Sequence, residues 1–280
     1  MEHLLSVWPK ILEQTRKAKH ILFLTDFDGT LTPIVEKPEL AALPEATRNL
    51  LQALTSQRHI TVGIISGRAL VDLKERVNIE GVIYAGNHGF EIEGPGLNFV
   101  NPIVDEIKPF FRIIRQVLVL TLGTIKGVFV EDKGITLSVH YRQVDAEKTK
   151  DVERLVKRVI NGPKSLGLFK VTSGKKVYEV RPSVNWDKGK AIRLLMKKYG
   201  KGGRNSGLFP VYLGDDLTDE DGFQVIEKYG HGVTVHVGEP KSNSIARYFL
   251  KSPDEVQIFL VKLLDYAQRG LLCEQYLTTS

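Results

Sequence analysis

Residues 21–32 read Ile21-Leu22-Phe23-Leu24-Thr25-Asp26-Phe27-Asp28-Gly29-Thr30-Leu31-Thr32. The opening run is apolar without alternation, the mark of a strand covered on both faces in a parallel sheet. Asp26 and Asp28 follow at i and i+2. In an extended chain they face the same way while Phe27 turns to the core. Two adjacent carboxylates repel unless a cation joins them or one takes a proton, and both solutions serve phosphoryl transfer. Gly29 and Thr30 then offer a tight turn whose N–H groups can hold phosphate oxygens. A calcium EF-hand loop is excluded, because it needs glycine sixth and glutamate twelfth, whereas Gly29 is fourth and Lys37 twelfth.

Working outward, 60–65 and 82–85 are further apolar runs, and 44–57 and 69–77 carry apolar residues at helical spacing. This is βαβαβ. From about Gly89 the pattern becomes helix, hairpin, helix, hairpin, with strand-like runs near 127–131, 135–141, 168–172 and 176–181. After Pro182 the first grammar resumes, with a helix at 188–199 and strands at 211–213 and 233–237. The expected fold is α/β, a doubly wound parallel sheet with an inserted α+β cap. The expected segments are 1–88 for the first part of the core, 89–182 for the cap and 183–280 for the second part. The N-terminal helix is expected to dock on the sheet.

Three other segments fall at strand ends or helix starts. Ser66, in Ser66-Gly67-Arg68, could bond a phosphate oxygen or act as an N-cap. Gly214-Asp215-Asp216-Leu217-Thr218-Asp219 follows a strand, again at a carboxyl end, and could be simply an acidic helix start favoured by the macrodipole. Lys188 stands at a helix start, where the dipole disfavours lysine; an ordinary surface lysine is the alternative. His88, in Asn87-His88-Gly89, could touch ligand or satisfy loop carbonyls. Because open α/β sheets bind ligands beyond the carboxyl ends of their strands, Asp26, Asp28, Ser66 and Asp215 gain meaning together.

The 280 residues are 42% hydrophobic and 26% charged, which excludes a disordered, collagen-like or disulfide-stapled chain. Of the net charge of +6, residues 90–182 hold +5, from 16 basic and 11 acidic side chains. That bias suits a small anion, a nucleic-acid phosphate or a merely solvated surface. No aromatic-basic stacking pattern accompanies it, so no nucleic-acid partner is expected. Cys273 is the single cysteine, and the first ten residues lack a basic start followed by an apolar run, so a cytoplasmic location is expected. No apolar stretch approaches the ~20 residues of a membrane span.

The segments Asp26–Thr30, Ser66, Lys188 and Gly214–Asp216 resemble the four motifs of the haloacid-dehalogenase-like phosphohydrolases. More narrowly, Asp26–Ile34, Gly86–Gly89, Gly174–Pro182 and Gly214–Phe223 look like trehalose-6-phosphate phosphatases, a similarity spanning about residues 20–265. The resemblance implies Asp26 as nucleophile, Asp28 as acid and base, and Lys188 and Ser66 as stabilisers of the phosphoryl group. It implies Mg2+ held by the Asp26 carboxylate, the Asp28 carbonyl and Asp215, with Asp216 and Asp219 as outer partners. Substrate contacts are expected from Gly29, Thr30, Arg68 and His88, and sugar contacts from Glu131, Lys133, Arg142, Lys175 and Glu179. Alternation places Lys175, Val177 and Glu179 on one side of a strand. The implied substrate is trehalose 6-phosphate, with a trehalose-phosphate synthase as a possible partner. The rivals are another sugar phosphatase or phosphomutase, acting for instance on sucrose 6-phosphate or mannosyl-3-phosphoglycerate, and a catalytically idle sugar-phosphate-binding subunit.

Overall fold

A computed structural model describes residues 1–277 apart from 37, 163–166, 175 and 201–206, with side chains to residue 269. Among them the strands are β1 (Glu2–His3), β2 (His20–Thr25), β3 (Ile60–Ile65), β4 (Ile83–Gly86), β5 (Glu91–Gly94), β6 (Leu97–Val100) and β7 (Phe129–Asp132). They continue as β8 (Leu137–His140), β9 (Phe169–Gly174), β10 (Val177–Pro182), β11 (Leu208–Gly214), β12 (Val233–Val237) and β13 (Tyr248–Leu250). The helices are α1 (Trp8–Thr15), α2 (Glu45–Thr55), α3 (Leu70–Val77), α4 (Ile103–Leu122), α5 (Thr149–Ile160), α6 (Lys188–Tyr199), α7 (Glu220–Tyr229) and α8 (Pro253–Leu277). None is long and apolar enough to cross a membrane.

The large sheet runs β1-β13-β12-β11-β2-β3-β4-β5-β6, parallel from β1 to β4. The unbroken apolar run of β2 is explained by its central place. Ile21 and Phe23 join a cluster with Leu51 of α2 and Phe259 of α8. Leu22 and Leu24 join another with Ile192 of α6 and Phe223 of α7. Burying each such side chain contributes about 1.5–3 kcal/mol, so a strand between two helical layers gains on both faces. The N-terminal segment docks on the sheet edge: β1 pairs with β13, Leu4 and Ile11 are buried, and the Trp8 ring meets Phe259 edge-on at 5.7 Å.

The chain divides into two units, Met1–Phe99 with Trp186–Ser280, and Val100–Asn185. The change in sequence pattern at residue 89 thus precedes the unit boundary by a hairpin. β5 pairs antiparallel with β4, and β6 follows it on the same sheet. Ile92 is fully buried, giving this hairpin an apolar side to lay on the core. At the return point, Trp186 stacks on Phe99 at 5.4 Å.

The second unit is an antiparallel sheet, β7-β8-β10-β9. Leu137, Val139, Tyr178 and Val180 are buried on one side, as are Val104, Ile107 and Phe111 of α4 and Val152, Val156 and Ile160 of α5. The Phe111 and Phe169 rings meet at 5.3 Å. On the other side Glu131, Ser138, Glu179 and Thr172 are successive register partners across the four strands.

Candidate active site

β2 and β11 are neighbours at the place where the chain reverses its direction of sheet building, going from β2 outward to β3 and later returning to β11. Side chains beyond their carboxyl ends therefore converge on one crevice. Asp26 follows β2 directly, its N–H donating to Leu213 O at 2.8 Å. Phe27 is fully buried. The turn after it closes through Gly29 N–H to Thr32 O, 2.8 Å, and Thr32 N–H to Phe27 O, 3.1 Å. Gly29 has φ +87°, and a Cβ there would lie 2.4 Å from Asp215 Oδ2. The turn and the end of β11 meet through this missing side chain. Thr30 is buried beside it, and its hydroxyl has no hydrogen-bond partner among the described residues.

Lys188 opens α6 and is 3% exposed. Its ammonium donates to Asp26 Oδ1 at 2.6 Å and to Asp219 Oδ1 at 2.7 Å. These two carboxylates offset the cost of a cation at a helix N-terminus. Asp219, with no exposure, also accepts from Tyr212 on Oδ1 and from the N–H groups of Asp215 and Asp216, each 3.0 Å, on Oδ2. Asp26, Asp215 and Asp219 form a buried acidic triad that could hold a metal ion, with one oxygen of each within 4.8 Å of the others.

The three carboxylates do not offer equal ligands. Asp219 accepts four hydrogen bonds, which fills the ~4 lone-pair directions of a carboxylate. Asp26 accepts its one side-chain hydrogen bond, from Lys188, on Oδ1, leaving Oδ2 uncommitted among the described residues. One ammonium against three carboxylates leaves an excess of negative charge, which a divalent cation would offset. The protonation balance carries the same sign. Burial lifts the Asp26 pKa well above its ordinary value, Lys188 pulls it down, and Asp219, Asp215 and Asp216 push it up again. Burial depresses Lys188, but Asp219 and Asp26 more than reverse this and raise it.

Asp28 faces the opposite cation. Arg68, 6% exposed, binds it bidentately, Nε to Oδ2 and Nη2 to Oδ1, both at 2.7 Å. The mutual repulsion of Asp26 and Asp28 is therefore resolved by two cations from different elements. Arg68 also donates to Asp72 Oδ2 at 2.8 Å and to Pro38 O at 2.9 Å. Its guanidinium, expected at the substrate, thus donates to Asp28, Asp72 and Pro38. Ser66, buried, accepts from Arg68 N–H at 3.1 Å, which leaves its hydroxyl proton to donate elsewhere. The turn after β4 locks onto this loop through Asn87 N–H to Arg68 O, 2.7 Å, and His88 N–H to Ser66 O, 2.8 Å. Asn87 and His88 hold φ +50° and +58°, a left-handed pair that costs energy at non-glycine residues. His88 is buried and interacts electrostatically with Asp216.

Asp216 caps the turn after β11, accepting from Thr218 N–H at 2.8 Å and Thr218 Oγ1 at 2.7 Å. Sequence reasoning missed Tyr212, Asp72 and Lys241, whose Nζ donates to Asp215 O at 3.1 Å. Tyr212 alone had a signal: a hydroxyl in an otherwise apolar strand must find a partner.

The expected sugar-binding residues lie in the other unit. Lys133 Nζ stands 3.9 Å from Glu131 and 3.7 Å from Glu179. His140 Nε2 pairs with Glu131 at 2.8 Å, and Arg181 approaches Glu179 at 3.9 Å. Ser138, buried between the two glutamates in register, has a hydroxyl without a partner among the described residues. Val177 and Glu179 share this face. Arg142 is exposed in the turn after β8, and Lys175 lies outside the described residues.

The family model for trehalose-phosphatase matches residues 24–254. The maize protein named trehalose 6-phosphate phosphatase RA3 is 37% identical over 260 residues, covering 88% of this chain and 70% of its own. The structure of Aspergillus fumigatus trehalose-6-phosphate phosphatase superposes with TM-score 0.65 at 30% identity, covering 92% of this chain and 97% of that one. The C-terminal domain of the Candida albicans enzyme of the same name gives TM-score 0.76 at 25% identity, with coverages of 92% and 96%. Asp26, Asp28, Lys188, Asp215 and Asp219 all fall within the residues that the family model matches, and the chain belongs to the trehalose-phosphatase family.

Proposed function

We propose that this protein hydrolyses trehalose 6-phosphate to trehalose and phosphate, with Mg2+ bound by the Asp26 carboxylate, the Asp28 carbonyl and Asp215. The observation that carries the reading is the buried chain Tyr212–Asp219–Lys188–Asp26, which ends on a carboxylate oxygen with no hydrogen bond among the described residues. Bound Mg2+ would neutralise phosphate charge and let two anions approach. Asp26 Oδ2 attacks phosphorus, the bond from phosphorus to the sugar oxygen breaks, and an aspartyl-phosphate forms. Asp28 gives the departing sugar oxygen its proton and later takes one from the water that attacks the same phosphorus, whereupon the bond from phosphorus to Asp26 Oδ2 breaks and phosphate leaves. Because both Asp28 oxygens accept from Arg68, donation requires one of those bonds to give way. Lys188, Ser66 and the Thr30 N–H hold the transferring phosphoryl oxygens, and the Gly29 N–H joins them only by releasing its bond to Thr32 O.

The polar face of the second unit supplies sugar recognition. Glu131, Lys133 and Glu179, with Arg142 and Lys175, would bond hydroxyls and be left unsatisfied by the wrong sugar. The single cysteine supports a reducing, cytoplasmic setting. A trehalose-phosphate synthase would supply the substrate, and its co-purification with this chain would reveal a physical partnership.

The test is phosphate release from trehalose 6-phosphate beside sucrose 6-phosphate and glucose 6-phosphate, with Mg2+ and after EDTA. Preference for the first substrate, loss on chelation, recovery with Mg2+ and no turnover by folded D26N are expected. Release from another sugar phosphate would overturn the substrate, survival of chelation the metal, and an active D26N the nucleophile.

A further inference from the structure

β11 carries one polar side chain, Tyr212, in a run that is otherwise apolar or glycine. Its side chain is fully buried in the cluster that includes Ile192, Leu195 and Phe223. The Phe223 ring lies 5.5 Å away at 55°. α7 approaches so closely that a Cβ on Gly222 would stand 2.5 Å from Tyr212 Cε1. The packing therefore holds an aromatic ring in one place, and phenylalanine would fill the same space. What packing does not require is the hydroxyl. It donates to Asp219 Oδ1, the oxygen that also accepts from Lys188.

That shared oxygen makes the hydroxyl consequential. Lys188 divides its charge between Asp26 at 2.6 Å and Asp219 at 2.7 Å. A second donor on Asp219 Oδ1 satisfies part of that oxygen's negative charge and weakens its pull on the ammonium. It also completes the four hydrogen bonds that keep Asp219 from turning toward Asp26 and Asp215. Without it the ammonium would be drawn toward Asp219 and away from the reacting carboxylate. We infer that Tyr212 is a positioning residue of the phosphatase reaction, acting through Asp219 to set Lys188 against Asp26. This rests on the roles proposed above for Asp26 and Lys188.

The experiment compares Y212F with F223L, which loosens the same packing and leaves the hydroxyl in place. Steady-state kinetics are run on trehalose 6-phosphate and on p-nitrophenyl phosphate, with thermal melting alongside. For Y212F we expect kcat to fall about 10- to 100-fold on both substrates, as is usual for losing an outer hydrogen-bond partner, with KM within about twofold. F223L should lower the melting temperature with less than a threefold change in kcat. Y212F retaining kcat within twofold, or F223L losing as much kcat as Y212F, would reduce Tyr212 to a packing residue and overturn the inference. Wild-type turnover of p-nitrophenyl phosphate without trehalose 6-phosphate would remove the substrate reading and leave this comparison intact. An inactive wild type would overturn both.

Discussion

Gly29→Ala isolates the junction between the two halves of the site. The substitution puts a Cβ 2.4 Å from Asp215 Oδ2 and 2.5 Å from its Cγ. Ordinary contact begins at 3.4 Å, so the carboxylate must retreat by about 1 Å. The Asp215 backbone is anchored, with the N–H bound to Asp219 and the carbonyl accepting from Lys241, so the retreat falls on rotation of a buried side chain. A displacement of that size at a reacting centre costs about 100-fold in rate. The left-handed backbone, φ +87°, adds about 1–2 kcal/mol of destabilisation for a residue with a Cβ. At about 2–4 °C per kcal/mol for a protein of this size, the melting temperature should fall by about 2–8 °C. The assay is phosphate release across a Mg2+ titration. We expect kcat/KM to drop about 100-fold and the half-saturating Mg2+ concentration to rise about tenfold or more. A folded G29A with unchanged Mg2+ dependence and kcat/KM within threefold of wild type would refute the assignment of Asp215 to the metal.

Two other perturbations separate recognition from stability. Glu179→Gln should reduce kcat/KM for trehalose 6-phosphate by about 10- to 100-fold, the value of a hydrogen bond to a charged group, and leave p-nitrophenyl phosphate within about threefold; equal losses on both would remove Glu179 from sugar recognition. Asp72 is pushed up by burial but held below its ordinary 3.8 by hydrogen bonds from Arg76 and Arg68. Because the folded value is the lower one, its stabilising contribution is present above the unfolded pKa and lost as pH falls through the folded one. The stability gap between wild type and D72N in urea unfolding should therefore be level from about pH 7 to 5 and close below about pH 4. A gap that widens on acidification would contradict this.

Much of the core was legible because its signals are local. The apolar runs at 21–25, 60–65 and 233–237 specify strands covered on both faces, and β2, β3 and β12 occupy nearly those residues. The edges were less visible. β1, β13 and the β5–β6 hairpin are short, and pairing to an existing sheet edge, rather than their own pattern, makes them strands. In the site, the i, i+2 spacing of Asp26 and Asp28 was readable, as was the burial of Phe27. Their assignment to different cations was not, since Lys188 lies 162 residues from Asp26 and Arg68 lies 40 from Asp28.

The sequence by itself determined the residue types at the strand ends, and with them the expected chemistry: paired aspartates, a hydroxyl, a lysine and a second acidic turn. Periodicity and turn residues are properties of neighbours along the chain, so they survive without a fold. The tertiary structure decided how charge is distributed. It saturated Asp219 with four donors while leaving Asp26 Oδ2 uncommitted among the described residues, paired Arg68 with Asp28, and gave the Tyr212 hydroxyl an acceptor. Those outcomes depend on distances of about 3 Å between side chains from separate elements, and buried charge is settled by whichever partners the packing brings within that range.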